Sequence, residues 1–212
     1  MTAEQRTVAG RPRDPEKDVA VLDAARALLR EGGYQAANIA AIARRAGVGT
    51  PTVYRRWARR ETLIEDAVFG ARDISLPTPT DDLHADLRAW VRLFLAHLAD
   101  PATRAAIPGL LAAYQQDEDL YGTLLTRVER SVRSHVADAV AEVIPSGSAT
   151  LRAARTDALF DLLVGATLVR ALTFGLHDSE SFCTQTADAL MALAMSEWDP
   201  QSSAVVRSRF ST

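Results

Sequence analysis

The residues from Arg44 to Glu61, RRAGVGTPTVYRRWARRE, hold six arginines around a Gly-Val-Gly turn and a Pro-Thr-Val-Tyr run. Guanidinium groups at this density suit the gripping of phosphates, because each presents a planar fork of donors that keeps its charge at any physiological pH. Thr50, Pro51, Thr52 and Tyr54 are small or hydrogen-bonding residues of the kind that a helix start carries into a major groove. Arg55, Arg56, Arg59 and Arg60 flank them as cations for the backbone. A charge run is more often a solvated helix face. Here four cations fall within six residues with only Glu61 as an adjacent acid, so they would repel one another without a polyanion.

Catalytic chemistry has little support. His84, His97, His135 and His177 lie on different segments without metal-ligand spacing, no glycine-rich phosphate loop occurs, and the single cysteine, Cys183, has no motif around it. The reading is of a protein that is not an enzyme and needs no cofactor or metal.

The arginines have to be positioned by helices. Strand alternation and Asn-Gly or Asp-Gly turns are missing, while apolar residues return at three and four throughout, so the expected fold class is all-α. A first helix is expected over Pro15 to Glu31, capped by Asp14 and ended by Gly32-Gly33. A short second helix follows the N-cap Asn38 and stops at Gly47. A third begins at Gly49 or Thr50, since Pro51 costs nothing in a first turn, and buries Val53 and Trp57. Two short helices across a tight glycine turn make a helix-turn-helix. A fourth helix is expected from Glu61 to about Asp73, and Leu76 to Asp82, LPTPTDD, marks a boundary. Beyond it come a helix over Leu83 to Leu98, a shorter segment after Pro101, and long helices over Asp119 to Ile144, Leu151 to Leu176 and Ser179 to Trp198. The domains so read are a flexible basic arm over 1–14, a three-helix DNA-binding domain over 15–75, a larger helical domain over 80–198 and a loose tail over 199–212.

The charge distribution agrees with this division. Residues 1–60 hold 12 Lys and Arg against 6 Asp and Glu, so +6, and the remainder holds 12 against 21, so −9, which gives the formal net charge of −3. A basic end on an acidic body fits a protein of which one end meets nucleic acid. No apolar run approaches the roughly 20 residues of a membrane span, and the N-terminal residues lack a secretion signal's apolar stretch, so a cytoplasmic location is expected.

From Val21 to Val68 the chain resembles the N-terminal domain of the tetracycline-repressor-like (TetR/AcrR) family of bacterial transcriptional regulators. The residues that carry the likeness are Ala24-Ala25, Leu28-Leu29 and Gly33-Tyr34; Asn38-Ile39, Ile42-Ala43 and Ala46-Gly47-Val48; Pro51-Thr52-Val53-Tyr54; and Glu61 with Leu63-Ile64. The resemblance implies that Thr50, Pro51, Thr52 and Tyr54 meet bases and adjacent phosphates, and that Arg60 falls where a lysine usually grips the backbone. It also implies that Asn38 takes the place of a threonine cap whose helix faces a phosphate. Gly49 departs from a frequent serine. Arg11 and Arg13, in the arm, are candidates for a minor-groove contact, with a tail of incidental charge as the alternative.

The resemblance further implies a larger domain that binds a small-molecule effector and forms a homodimer through the last two helices, so that the protein represses by binding a palindromic double-stranded DNA operator and is released by the effector. The stretch LFDLLVGATLVRALTFG, apolar nearly all round, suits such a contact, the alternative being the central helix of a monomeric bundle. Candidates for the effector site are Trp90, Phe94, His97, Tyr114, Tyr121, Phe160 and Thr167, the alternative for each being a core position, the commoner fate of an aromatic at helical spacing. Arg170, inside an apolar helix, is expected to pair with an acid such as Asp161 or one across the interface, the alternative being a ligand carboxylate. The rival reading is a helical small-molecule carrier of the same fold that no longer binds an operator.

Overall fold

The computed structural model describes residues 15–70, 75–117, 119–120, 122, 133–137 and 149–196. Arg11, Arg13, Tyr121, the arm, the tail and most of the helix expected over Asp119 to Ile144 lie outside the described residues. Among the described residues every regular element is helical: α1 (Pro15–Ala36), α2 (Ile39–Arg45), α3 (Thr50–Tyr54), α4 (Arg60–Phe69), α5 (Leu83–Leu98), α6 (Pro101–Gln116), α7 (Ala149–Thr173) and α8 (Ser179–Met195). None of them is long and apolar enough to cross a membrane.

The first four helices close a small core. Val21, Ala25 and Leu29 from α1, Ile42 from α2, Val53 from α3 and Leu63, Ile64 and Val68 from α4 are all buried in it. Gly33 breaks α1 with φ of 71°, a left-handed geometry that glycine adopts without a steric penalty, and so turns the chain towards α2. A second core gathers Leu87, Trp90, Val91 and Leu95 of α5, Leu159 and Leu163 of α7, and Cys183, Ala187 and Leu190 of α8. Arg92 on α5 grips Glu180 on α8 through Nε at 3.1 Å and Nη2 at 2.6 Å, on the rim of this second core.

The connector between the cores is tied at its end. The backbone N–H and hydroxyl of Thr80 both donate to the buried carboxylate of Asp86, at 2.8 and 2.7 Å, and Asp82 caps α5 by accepting from the Ala85 amide at 3.0 Å.

The sequence expectation fails at α6. The segment after Pro101 is not short: it runs 16 residues, as long as α5, with Pro108 and Gly109 inside it. A proline and a glycine in sequence read as a break, but here tertiary packing holds the helix through them. Asp100 starts it by accepting from the Ala102 and Thr103 amides at 3.0 and 3.2 Å. The helix belongs to both cores, since Ala102, Ala106 and Leu110 are buried with α1 to α4 while Ile107 is buried with α5, α7 and α8.

Candidate nucleic-acid interface

Both short helices start as their residues dictate. Asn38, in extended geometry, accepts from the Ala41 amide at 2.9 Å, which satisfies one of the donors left open in the first turn of α2. Gly47 takes φ of 67° and turns the chain, and Val48 donates back to the Ala43 carbonyl at 3.0 Å. Gly49 then caps α3 without a side chain. The helix ends at Tyr54, earlier than expected, so that Val53 is fully buried on it and Trp57 is buried just beyond its end; the Trp57 indole donates to Asp66 at 2.7 Å. The opposite face presents Pro51, Tyr54 and Arg55 to solvent, Tyr54 at 54% exposure, and Thr50 and Thr52 lie half-buried beside them. Asn38 is exposed at the start of α2.

The six arginines divide, and the expectation that they lack acids is corrected. Arg56 pairs with Asp18 of α1, Arg45 with Glu31, and Arg59 with Asp117 at 2.7 Å. Arg60 turns inward: its Nε–H donates to the Ala37 carbonyl at 2.9 Å, another N–H donates to the Tyr34 carbonyl, and its plane lies over the Tyr34 ring at 4.2 Å. Burial, with the Glu61 carboxylate adding to it, pushes the Tyr34 phenol up. Arg44 and Arg55 are exposed and form no ion pair with another described residue. Local counting could not find these partners, because Asp18 and Asp117 reach the stretch only through the packing of α1 and α6 against it.

The effector candidates come together only in part. Trp90, Phe94 and Phe160 form an aromatic row, with ring centroids 6.3 and 6.0 Å apart, within the second core. His97 instead faces Phe69 of α4, with centroids 6.1 Å apart; burial and the nearby Arg26 cation lower its pKa. Tyr114 sits with the first core and donates to the buried Glu65 at 3.0 Å. Thr167 is buried and donates to the Leu163 carbonyl of its own helix at 2.6 Å. Arg170 does not pair with Asp161, which lies 3.5 Å from Arg133; its guanidinium donates to the His177 carbonyl and stands 4.9 Å over Phe174 and 5.2 Å over Phe182.

A packed helix-turn-helix at the head of a larger helical body is the architecture of a bacterial transcriptional regulator, and comparison with known proteins agrees. The family profile described as bacterial regulatory proteins, tetR family, matches residues 21–67, and that described as the tetracyclin repressor-like C-terminal domain matches residues 77–210. The chain therefore belongs to the TetR family and is a ligand-responsive, DNA-binding transcriptional regulator. It is 28% identical over 173 residues to YdeS, an uncharacterised HTH-type transcriptional regulator of Bacillus subtilis, covering 82% of this chain and 87% of that one. Over 71 residues, a third of each chain, it is 38% identical to AqdR, an HTH-type transcriptional regulator of Rhodococcus erythropolis. Among solved structures, the TetR-family regulator SCO0332 superposes with a TM-score of 0.61 at 26% identity, covering 85% of this chain and 98% of the other. A TetR regulator from Agrobacterium tumefaciens shares the fold with a TM-score of 0.61 at 22% identity, covering 85% and 95%.

Proposed function

We propose that the protein is a cytoplasmic repressor that binds a two-fold operator as a homodimer and is released by a small organic effector, and that it catalyses no reaction. The observation that carries the reading is the exposed face of α3, where Pro51, Tyr54 and the following Arg55 stand clear while Val53 on the helix and Trp57 just after it are buried. In this reading Thr50, Pro51, Thr52, Tyr54 and Arg55 meet the major groove and its phosphates, Asn38 starts a helix that faces a phosphate, and Arg11 and Arg13 reach from the arm. In the same reading an apolar effector meets the candidate group at Trp90, Phe94 and Phe160, and their mutual ring contacts support taking these three together.

The test is a titration against salt of the protein with DNA from immediately upstream of its own coding region, with unrelated DNA as control. The expected result is preferential binding to the upstream fragment that weakens steeply as salt rises. Equal weak binding to both, unchanged in an Arg55→Ala variant, would favour a carrier that has kept the fold.

A further inference from the structure

We propose that Arg60 is a positioning residue and not a phosphate ligand, and that with Tyr34 it forms the joint through which α6 sets the seat of α2, with Gly109 as the socket. The inference deepens the DNA-binding reading and rests on it for its effect on affinity, though the joint itself is a property of the fold.

The guanidinium of Arg60 is committed inside the protein. It spans the carbonyls of Tyr34 and Ala37, the two ends of the turn from α1 to α2, and its central carbon stands 4.2 Å over the centroid of the Tyr34 ring. The turn also closes on itself, since the Ala37 amide donates to the Tyr34 carbonyl at 3.2 Å. The next residue is Asn38, whose side chain begins α2. Arg60 thus fixes the point from which α2 is launched, using a rigid two-pronged geometry that a lysine lacks.

The Tyr34 ring has α6 against it. Gly109 lies so close that a methyl group there would overlap the Cγ, Cδ1 and Cδ2 atoms of the ring. Glycine is disfavoured in a helix interior relative to alanine, and α6 carries it where the ring needs the space. Pro108, immediately before it, has no N–H, so one bond of the helical ladder is missing beside the socket. Around that pair the helix touches both cores, with Ala106 and Leu110 buried in the first and Ile107 in the second. A displacement of α6 by a change in the second core, which reaches it through Ile107, therefore meets the Tyr34 ring, then the Arg60 guanidinium over it, then the turn that launches α2.

The test uses the full chain and two independent readouts. The first is affinity for a duplex selected by the protein from a random-sequence pool, measured across salt for Arg60→Ala, Arg60→Lys and Arg55→Ala. A positioning role makes both Arg60 variants weaker by about tenfold or more with an unchanged slope of log affinity on log salt, because a bond to a charged group is lost but no phosphate contact is. Arg55→Ala, by contrast, lowers the slope by about 0.9 for each phosphate given up. A shallower slope in Arg60→Ala, or near-native affinity in Arg60→Lys, would overturn the proposal. The second readout is hydrogen exchange without DNA. Gly109→Ala and Arg60→Lys are expected to accelerate exchange in α2 while α5 and α7 keep their protection, and unchanged α2 protection in both would overturn the joint. If Gly109→Ala lost its helix content altogether, Arg60→Lys would decide alone. If the pool yields no preferred duplex, the DNA-binding reading fails, and exchange still judges the joint.

Discussion

Single residues in the reading head carry separable tasks, and Asn38 allows two of them to be separated. Its side chain accepts from the Ala41 amide while standing exposed at the start of α2. Asn38→Ala should destabilise the fold by about 1 kcal/mol in urea denaturation. Asn38→Asp keeps the acceptor, so stability should hold, but a carboxylate facing a phosphate should weaken operator binding; undiminished binding by Asn38→Asp would place the DNA elsewhere. His97 makes a second prediction at this scale. Burial and the Arg26 cation hold its folded pKa below the ordinary 6.5, against the opposing pull of Asp100 and a hydrogen bond with the Val68 backbone. The unfolded chain then binds more protons than the folded one, so the stability His97 supplies is complete above pH 6.5 and drains away as pH falls from there towards the folded value. Melting temperature followed from pH 7.5 to 5.5 should decline, and His97→Gln should flatten that decline.

At the level of elements, what the sequence makes legible is what local chemistry decides. The Asn38 cap, the glycine turn, the buried pair Val53 and Trp57, and the bounds of α5 all follow from neighbours a few residues away, and the structure has each of them. What is illegible depends on chain segments that meet only on folding. The partners of Arg56 and Arg59 lie on α1 and just after α6, so counting nearby acids missed them. The aromatic candidates looked alike as helical positions, yet Tyr114 serves the first core and Phe160 the second. The continuity of α6 through Pro108 is the clearest case, because burial of Ala106, Ile107 and Leu110 around the proline outweighs its local preference to break a helix. Removing that opposition has a measurable consequence. Pro108→Ala restores a ladder hydrogen bond and should raise unfolding free energy by about 1 kcal/mol or more, after the loss of proline's restriction of the unfolded chain is allowed for. A fall in stability would mean that the proline is required by its surroundings.

The whole molecule is asymmetric in charge and in apolar exposure, and the two asymmetries suit two contacts. The basic head suits a polyanion. The body has a different surplus: Leu162 and Val169 on α7 are 55% and 62% exposed, while Leu159, Leu163 and Ala171 on its other side are buried. Between the exposed pair lies Gly165, also exposed, so the three residues at spacings of three and four make one face with a low centre where a second helix could approach closely. Phe174, Leu176 and Met195 are likewise exposed, on the turn that follows α7 and at the end of α8. In the proposed homodimer a copy of the same face would supply the cover with two-fold symmetry, and that symmetry is what would hold two reading heads at the spacing of successive major grooves, about 34 Å. The double variant Leu162→Glu, Val169→Glu places four like charges in the middle of such a contact without touching either core. It should sediment as a monomer with native helix content and lose operator binding, because one head alone grips too few phosphates to survive physiological salt. A double variant that still sediments as a dimer would move the interface to another surface, and one that binds the operator normally as a monomer would mean that a single head suffices.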